Sequence, residues 1–434
     1  MAGKKFEETL LQTYMNNSFL RVNVFVLIIA NSANVFSYLF QFIMGRYLSI
    51  EDFSVLTSVN SLGVIVGGAL GVFPYIVSKY IIEFKNKKKL VSSFLRQMLR
   101  ITLYVLVIFS LIVIFSIDPI SDYLKLEDHL PLYIFLLYLD TGVLLGVLLG
   151  VMQGLLMHVK VSIKGALVAF LKLIFAIAFV VFMGYSYNGA LFAALLANVA
   201  VGLWVYSIVN KHLPLKNIKH EAIPKEVYKN IAAYAVPVTL TWFAIGLITN
   251  IDVVLVKHYA SEVEAGEYSV AAVIARIAVF LPGVLLTVLF PQVSQNKVDG
   301  KSSMSTLLVV MGLTLLLSCC FVSTVYFFPG TAITLLFGSK YLGGAETLII
   351  ITFAMGIVAI ISVIFNFFLA KNLYGYLYAT YVVLVISGIY IYKVDYFNAI
   401  DIAIVILYAC IALLIANSLL LFYYWYRGFR NNVI

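Results

Sequence analysis

Charge is what this chain has least of. Asp, Glu, Lys and Arg make up 11% of its 434 residues, against 63% hydrophobic residues and a mean hydropathy of +1.03. A soluble domain carries roughly twice that charged share, so composition points to a polytopic membrane protein. Cysteine is nearly absent. Cys319, Cys320 and Cys410 all sit in apolar runs, which excludes a CxxC motif, a zinc spacing and a disulfide scaffold. The five histidines (His129, His158, His212, His220 and His258) are scattered over separate loops, so no metal cluster is indicated. The first twenty or so residues, "MAGKKFEETLLQTYMNNSFLR", lack the apolar core and small-residue cleavage site of a signal peptide. The 29 Lys and Arg exceed the 20 Asp and Glu, a net +9. In a membrane chain that excess reports loop orientation rather than nucleic-acid binding, and no nucleic-acid partner is expected.

What is present is a series of apolar runs long enough to cross a bilayer, which takes roughly 18 residues or more. They are placed at 22–45, 53–82, 95–117, 131–156, 163–184, 188–210, 229–256, 266–294, 303–328, 344–370, 374–392 and 398–426, twelve in all. Each must be a helix, because lipid offers backbone polar groups no partner. With the N-terminus inside, 22 Lys and Arg fall on the cytoplasmic side. Only five (Arg46, Lys125, Lys257, Lys340 and Lys393) fall outside, and Lys172 and Arg276 lie within spans. This asymmetry predicts that both termini are cytoplasmic. The longest hydrophilic link, Asn210 to Asn230, is basic and falls halfway along the chain. It divides the chain into a six-helix lobe (1–215), a linker (216–228) and a second six-helix lobe (229–434).

The lobes share a pattern. "RYLSIEDFSV" (Arg46 to Val55) follows the first span and "HYASEVEAGEYSV" (His258 to Val270) follows the seventh. Both read Tyr-x-Ser, an acid, an aromatic, then Ser-Val. About twenty residues later come "FPYIVS" (Phe73 to Ser78) and "FPQVS" (Phe290 to Ser294). Six spans separate the copies, so both have the same topology, and duplication about an axis along the membrane normal is expected.

Four ionisable residues lie in or at the mouth of a span. An arginine at the bilayer centre costs at least about 2.5 kcal/mol on insertion scales, and Arg276 lies near the midplane of span eight. Ser269, Ala272, Arg276, Gly283 and Thr287 form one helical stripe of small and polar residues. Span two carries Ser54, Ser58, Ser61, Gly68 and Gly71. Span one carries Asn34, Ser37 and Gln41, and span seven Thr239, Thr241, Trp242, Thr249 and Asn250. Such faces either pack closely or line a wet cavity. The arginine favours the cavity, with these four spans as its walls. Guanidinium matches phosphate geometry and stays charged; the competing reading is an internal salt bridge between helices. Lys172 in span five is deep enough to meet an anion. Asp140 in span four either pairs with Lys172 or binds a coupling cation, pairing being favoured because neither charge then stands alone. Asp252, at the outer end of span seven, anchors its loop. Pro74, Pro237 and Pro291 each free a carbonyl and permit a bend. The run Lys85 to Lys89 anchors the inner face or meets anionic headgroups.

Four segments, in this order and spacing, resemble the multidrug/oligosaccharidyl-lipid/polysaccharide (MOP) exporter superfamily, most closely its polysaccharide-biosynthesis branch of O-antigen-type flippases. They are "GRYLSIEDFSVLTSVNSLG", "YAVPVTLTWF", "IDVVLVKHYASEVEAGEYSVAAVI" and "LFGSKYLGGAETLIIIT". The resemblance implies an all-α, MATE-like fold of about 12 transmembrane helices in two six-helix bundles around a central cavity. It also implies a transporter, not an enzyme, with no cofactor, set in a bacterial or archaeal cell membrane. The implied cargo is a polyprenyl-diphosphate-linked oligosaccharide moved from the cytoplasmic to the outer leaflet. Implied partners are membrane lipids and, in the same process, a polysaccharide polymerase or glycosyltransferases. The diphosphate would be held by Arg276 and Lys172, with Asn34, Gln41, Ser58, Ser61 and Asn250 lining the path. Asp140 and Asp252 would serve as coupling or salt-bridge acids. A cation-coupled multidrug antiporter of the same superfamily is the alternative; it needs cavity acids, and Asp140 is the only deep one. A membrane-embedded glycosyltransferase would place its catalytic groups on a sizeable outer loop, which this sequence lacks.

Overall fold

The computed structural model describes residues 18–84, 88–213, 225–283, 289, 293, 304–393 and 398–430, and among these it is helical with no strand. Eleven helical segments are long and apolar enough to cross a membrane among the described residues. They match the second to twelfth predicted spans. The first corresponds to the 30-residue helix α1 (Ser18–Tyr47). Most of the 216–228 link, Pro291 and most of Phe290 to Ser294, and most of Lys85 to Lys89 lie outside the described residues.

Span two is broken. Helix α2 (Ile50–Leu70) ends at Gly71 and α3 (Val72–Glu83) continues from there. Pro74 lacks the N–H that would bond to the Leu70 carbonyl, which accounts for the break. Pro237, in contrast, sits within α9 (Lys225–Tyr259), which continues through it. The two copies of the repeated loop have a concrete structural role: each starts a helix. Ser49 caps α2 by accepting from the Asp52 N–H at 3.0 Å. Ser261 caps α10 (Glu262–Ala275) by accepting from Glu264 N–H, and the Glu264 carboxylate accepts in return from the Ser261 N–H at 3.1 Å. The acids that follow each serine suit the positive end of a helix dipole.

Contacts between Cα positions divide the chain into two compact units. The first comprises Met1–Met44, Phe73–Phe115 and Tyr133–Lys225. The second comprises Gly45–Val72, Ser116–Leu132 and Glu226–Ile434. The two units thus interleave along the chain, with 45–72 and 116–132 grouping with the second half.

In the first unit, α6 (Leu130–Gly154) presents Gly146, Gly150 and Gly154 at intervals of four, on one helical face. A Cβ on Gly150 would lie 2.6 Å from the Pro74 carbonyl oxygen, and one on Gly154 would lie 2.7 Å from Ile81 Cβ. Glycine therefore sets the distance between α6 and α3. Helix α7 (His158–Ala176) lies beside α1, with Phe170 and Phe36 rings 5.3 Å apart, and widens into π-helical turns over Ile177–Phe182.

In the second unit, α2 and α10 approach closely: a Cβ on Gly266 would lie 2.3 Å from the Ile50 carbonyl oxygen. Helix α13 (Ala345–Lys371) is the most buried span. It packs against α10, α11 (Met304–Phe327) and α15 (Ala399–Arg430). Helix α12 (Pro329–Leu336) is followed by Gly338 at φ +101°, a backbone angle that favours glycine, and then by the 3-10 turn Ser339–Gly344.

Candidate functional site

The intramembrane charges are met differently in the two units. In the second unit, Asp252 lies two turns before the end of α9 and is fully buried. Arg276, immediately after α10, donates from Nη2 to Asp252 Oδ1 at 3.3 Å and from Nε to the Thr249 carbonyl at 2.8 Å. Tyr268, itself buried, donates its hydroxyl proton to Asp252 Oδ2 at 3.2 Å. Only 13% of the Arg276 side chain is exposed. The guanidinium assigned from sequence to a lipid phosphate is therefore occupied by a carboxylate. The physical reason is that the turn between α9 and α10 brings position 276 back beside position 252. The internal salt bridge describes Arg276 here, and Asp252 is its partner rather than a loop anchor.

The polar stripes expected to line a cavity are packed in this unit. Ser58 is buried and donates to the Ser54 carbonyl one turn earlier. Ser61 is buried and its hydroxyl has no hydrogen-bond partner among the described residues. Asn250 is buried and turns its amide onto its own helix, donating to the Gly246 carbonyl at 3.2 Å and to Thr249 Oγ1 at 2.7 Å. Small residues cause the packing. A Cβ on Gly68 would lie 2.7 Å from the Trp242 carbonyl oxygen, and one on Gly246 would lie 3.0 Å from Ile65 Cα. Thr241, from the same stripe, shares a 2.5 Å hydrogen bond with Tyr376.

In the first unit the charges stay apart from one another. Lys172, on α7, places its ammonium 4.1 Å from the centre of the Phe40 ring. Asp140, on α6, accepts from the Ser110 hydroxyl at 3.0 Å, while its Oδ1 is buried without a hydrogen-bond partner among the described residues. The expected Lys172–Asp140 pair is not formed: Lys172 meets the Phe40 ring and Asp140 the Ser110 hydroxyl. A cation over a ring gains about 0.5–2 kcal/mol, and its charge remains whole. Lys172 is thus a half-buried cation within a span with no carboxylate in ion-pair contact among the described residues. On α1, Asn34 is exposed, and the Gln41 Oε1, one residue from Phe40, is buried without a hydrogen-bond partner among the described residues. Phe40 itself went unnoticed in the sequence. Its signal was its place on α1 among Asn34, Ser37 and Gln41. Among the described residues no group of three His, Cys, Asp or Glu is arranged to hold a metal ion.

The helical fold of the described residues is that of solved transporters of the MOP superfamily. A structure described as the inward-facing conformation of a multidrug resistance MATE family transporter of that superfamily superposes with a TM-score of 0.71 at 13% identity, over 90% of this chain and 93% of that one. A eukaryotic MATE transporter, AtDTX14, gives 0.66 at 10% identity, over 94% and 96%. A MOP superfamily transporter from Pyrococcus furiosus gives 0.60 at 14%, over 91% and 92%; the reversed polarity of its binding pocket is described as suggesting a different function. No curated protein matches in sequence. Residues 20–297 match the family model described as polysaccharide biosynthesis protein, so the chain belongs to that family.

Proposed function

We propose that this protein carries a polyprenyl-diphosphate-linked oligosaccharide from the cytoplasmic to the outer leaflet by alternating access, for building a surface polysaccharide. Membership of the polysaccharide biosynthesis family supports the cargo class. The observation that carries the reading is Lys172, a cation deep in a span that faces an aromatic ring and, among the described residues, no carboxylate. Such a charge is costly in lipid and marks a candidate functional site, and a cation without a carboxylate suits an anionic cargo. The diphosphate would meet the ammonium, Asn34 and Gln41 would face the hydrated head, and the polyprenyl chain would stay in lipid. With Arg276 held by Asp252, the anion contact is assigned to Lys172.

One observation favours a second reading. Asp140 keeps a buried carboxylate oxygen that has no hydrogen-bond partner among the described residues, which suits a cation-coupled antiporter. Depleting the protein in its host separates the two. A flippase predicts accumulation of lipid-linked glycan on the cytoplasmic leaflet and loss of surface polysaccharide. Unchanged surface glycan with raised sensitivity to cationic dyes would overturn the flippase reading.

A further inference from the structure

In the second unit, bonds between first-half and second-half residues gather at the helix ends that the charge count assigns to the outer face. Arg46, in the last turn of α1, donates to the carbonyls of Leu336 at 3.1 Å and Leu335 at 2.5 Å, closing the C-terminus of α12. Lys340 does the reverse, donating to the carbonyls of Arg46 at 3.2 Å and Leu48 at 2.5 Å, and the Tyr341 hydroxyl donates to the Gly45 carbonyl at 2.8 Å. Lys125 donates to the Ala260 carbonyl at 2.9 Å, just past α9. These cations sit where the last carbonyls of a helix lack intrahelical partners and its dipole is negative. Deeper in, Thr57 donates to Ser269 Oγ at 2.6 Å, both residues being buried.

Lys257 is different. It is also counted among the outer cations, but it is 2% exposed, donates to Ser54 Oγ at 2.9 Å, and has no carboxylate in ion-pair contact among the described residues. Burying an ammonium against one hydroxyl forfeits most of its hydration, and the carboxylates of Glu262, Glu51 and Asp52, acting from beyond ion-pair distance, offset only part of that loss.

We propose that this end of the unit is a reversible outer seal built from opposed cations. Arg46, Lys340 and Lys125 hold segments 45–72 and 116–132 against the second half, while Lys257 favours opening because its ammonium regains water when α2 and α9 part. The exposed cations bond to helix ends and gain by closing; the buried one gains by opening. Such a balance keeps the closed and open states near one another in free energy. The inference rests on the transporter reading above and on the orientation given by the Lys and Arg count.

The test is thiol accessibility, which needs no knowledge of the cargo. The full-length protein with Cys319, Cys320 and Cys410 replaced by alanine receives Ser269→Cys as a reporter behind the seal. Intact cells are then treated with a membrane-impermeant maleimide. Labelling is expected to be slow, and to quicken about ten-fold in Arg46→Ala/Lys340→Ala, as for the loss of charge-assisted bonds from a closed state. Lys340→Gln alone is expected to quicken it about three-fold, and decides the matter should the double variant be lost from the membrane. Lys257→Met is expected to slow labelling about three-fold, the opposite sign. An unchanged rate when the capping cations are removed overturns the seal, and a faster or unchanged rate in Lys257→Met overturns the opposition. Labelling confined to inside-out vesicles overturns the orientation. If the labelling pattern holds while depletion leaves surface glycan unchanged, the seal stands and the flippase reading falls.

Discussion

The two units treat intramembrane charge in opposite ways. In the second, Arg276 and Asp252 neutralise each other, with Thr249 and Tyr268 satisfying the remaining geometry. In the first, Lys172 faces Phe40 and Asp140 faces Ser110, both neutral partners. A closed pair holds two helices in register; an open charge is costly to keep and is retained for what it meets. The same sequence feature, a charged residue in an apolar run, therefore marks structure in one unit and a candidate cargo site in the other.

The largest expected effect breaks the closed pair. Asp252→Ala leaves the Arg276 guanidinium without its carboxylate and should cost about 3–5 kcal/mol, read as a lower Tm of the purified protein. Asp252→Leu/Arg276→Met, which removes both charges, should recover most of that loss. A double variant as unstable as the single one contradicts the structural role. Next is the glycine face of the first unit. Gly150→Ala pushes a methyl into Pro74 and Val77 and should cost about 1–3 kcal/mol. Gly202→Ala, with nothing within 4 Å, should change stability by less than about 0.5 kcal/mol. Equal effects at the two positions would show that α3 and α6 are not in close contact. The smallest effect concerns a neutral bond in the second unit. Thr241→Val removes the hydrogen bond to Tyr376 and should cost about 1 kcal/mol; no loss would mean that Tyr376 finds another partner.

The fold was legible because its signals are one-dimensional. Runs such as 131–156 or 344–370 exceed the thickness of a bilayer, and the observed helices fall within a few residues of them. Ser49 and Ser261, each with an acid three residues on, were legible as a repeat, and the structure gives that repeat its cause in helix capping. The glycine spacing at 146, 150 and 154 was visible but not used. What the sequence could not supply was azimuth. Depth along a span follows from counting residues, so Lys172 and Asp140 looked like partners at comparable depth. Pairing also requires that both side chains point at each other across two helices, and here they do not. Arg276 and Asp252 failed in the converse way. They lie 24 positions apart, and only the turn at Ala260–Ser261 folds α10 back beside α9. The polar stripes on α2 and α9 had two readings, wet or tightly packed. The glycines at 68, 246 and 266 allow an approach close enough to select packing.

Lys172 is the central residue of the proposed transport, kept for an anion rather than for the fold. Lys172→Met, expressed in the protein's host, should keep the folded protein in the membrane with an unchanged or raised Tm, yet abolish delivery of lipid-linked glycan to the outer leaflet; Lys172→Arg should restore part of it. Full delivery by Lys172→Met at normal protein levels would contradict the account.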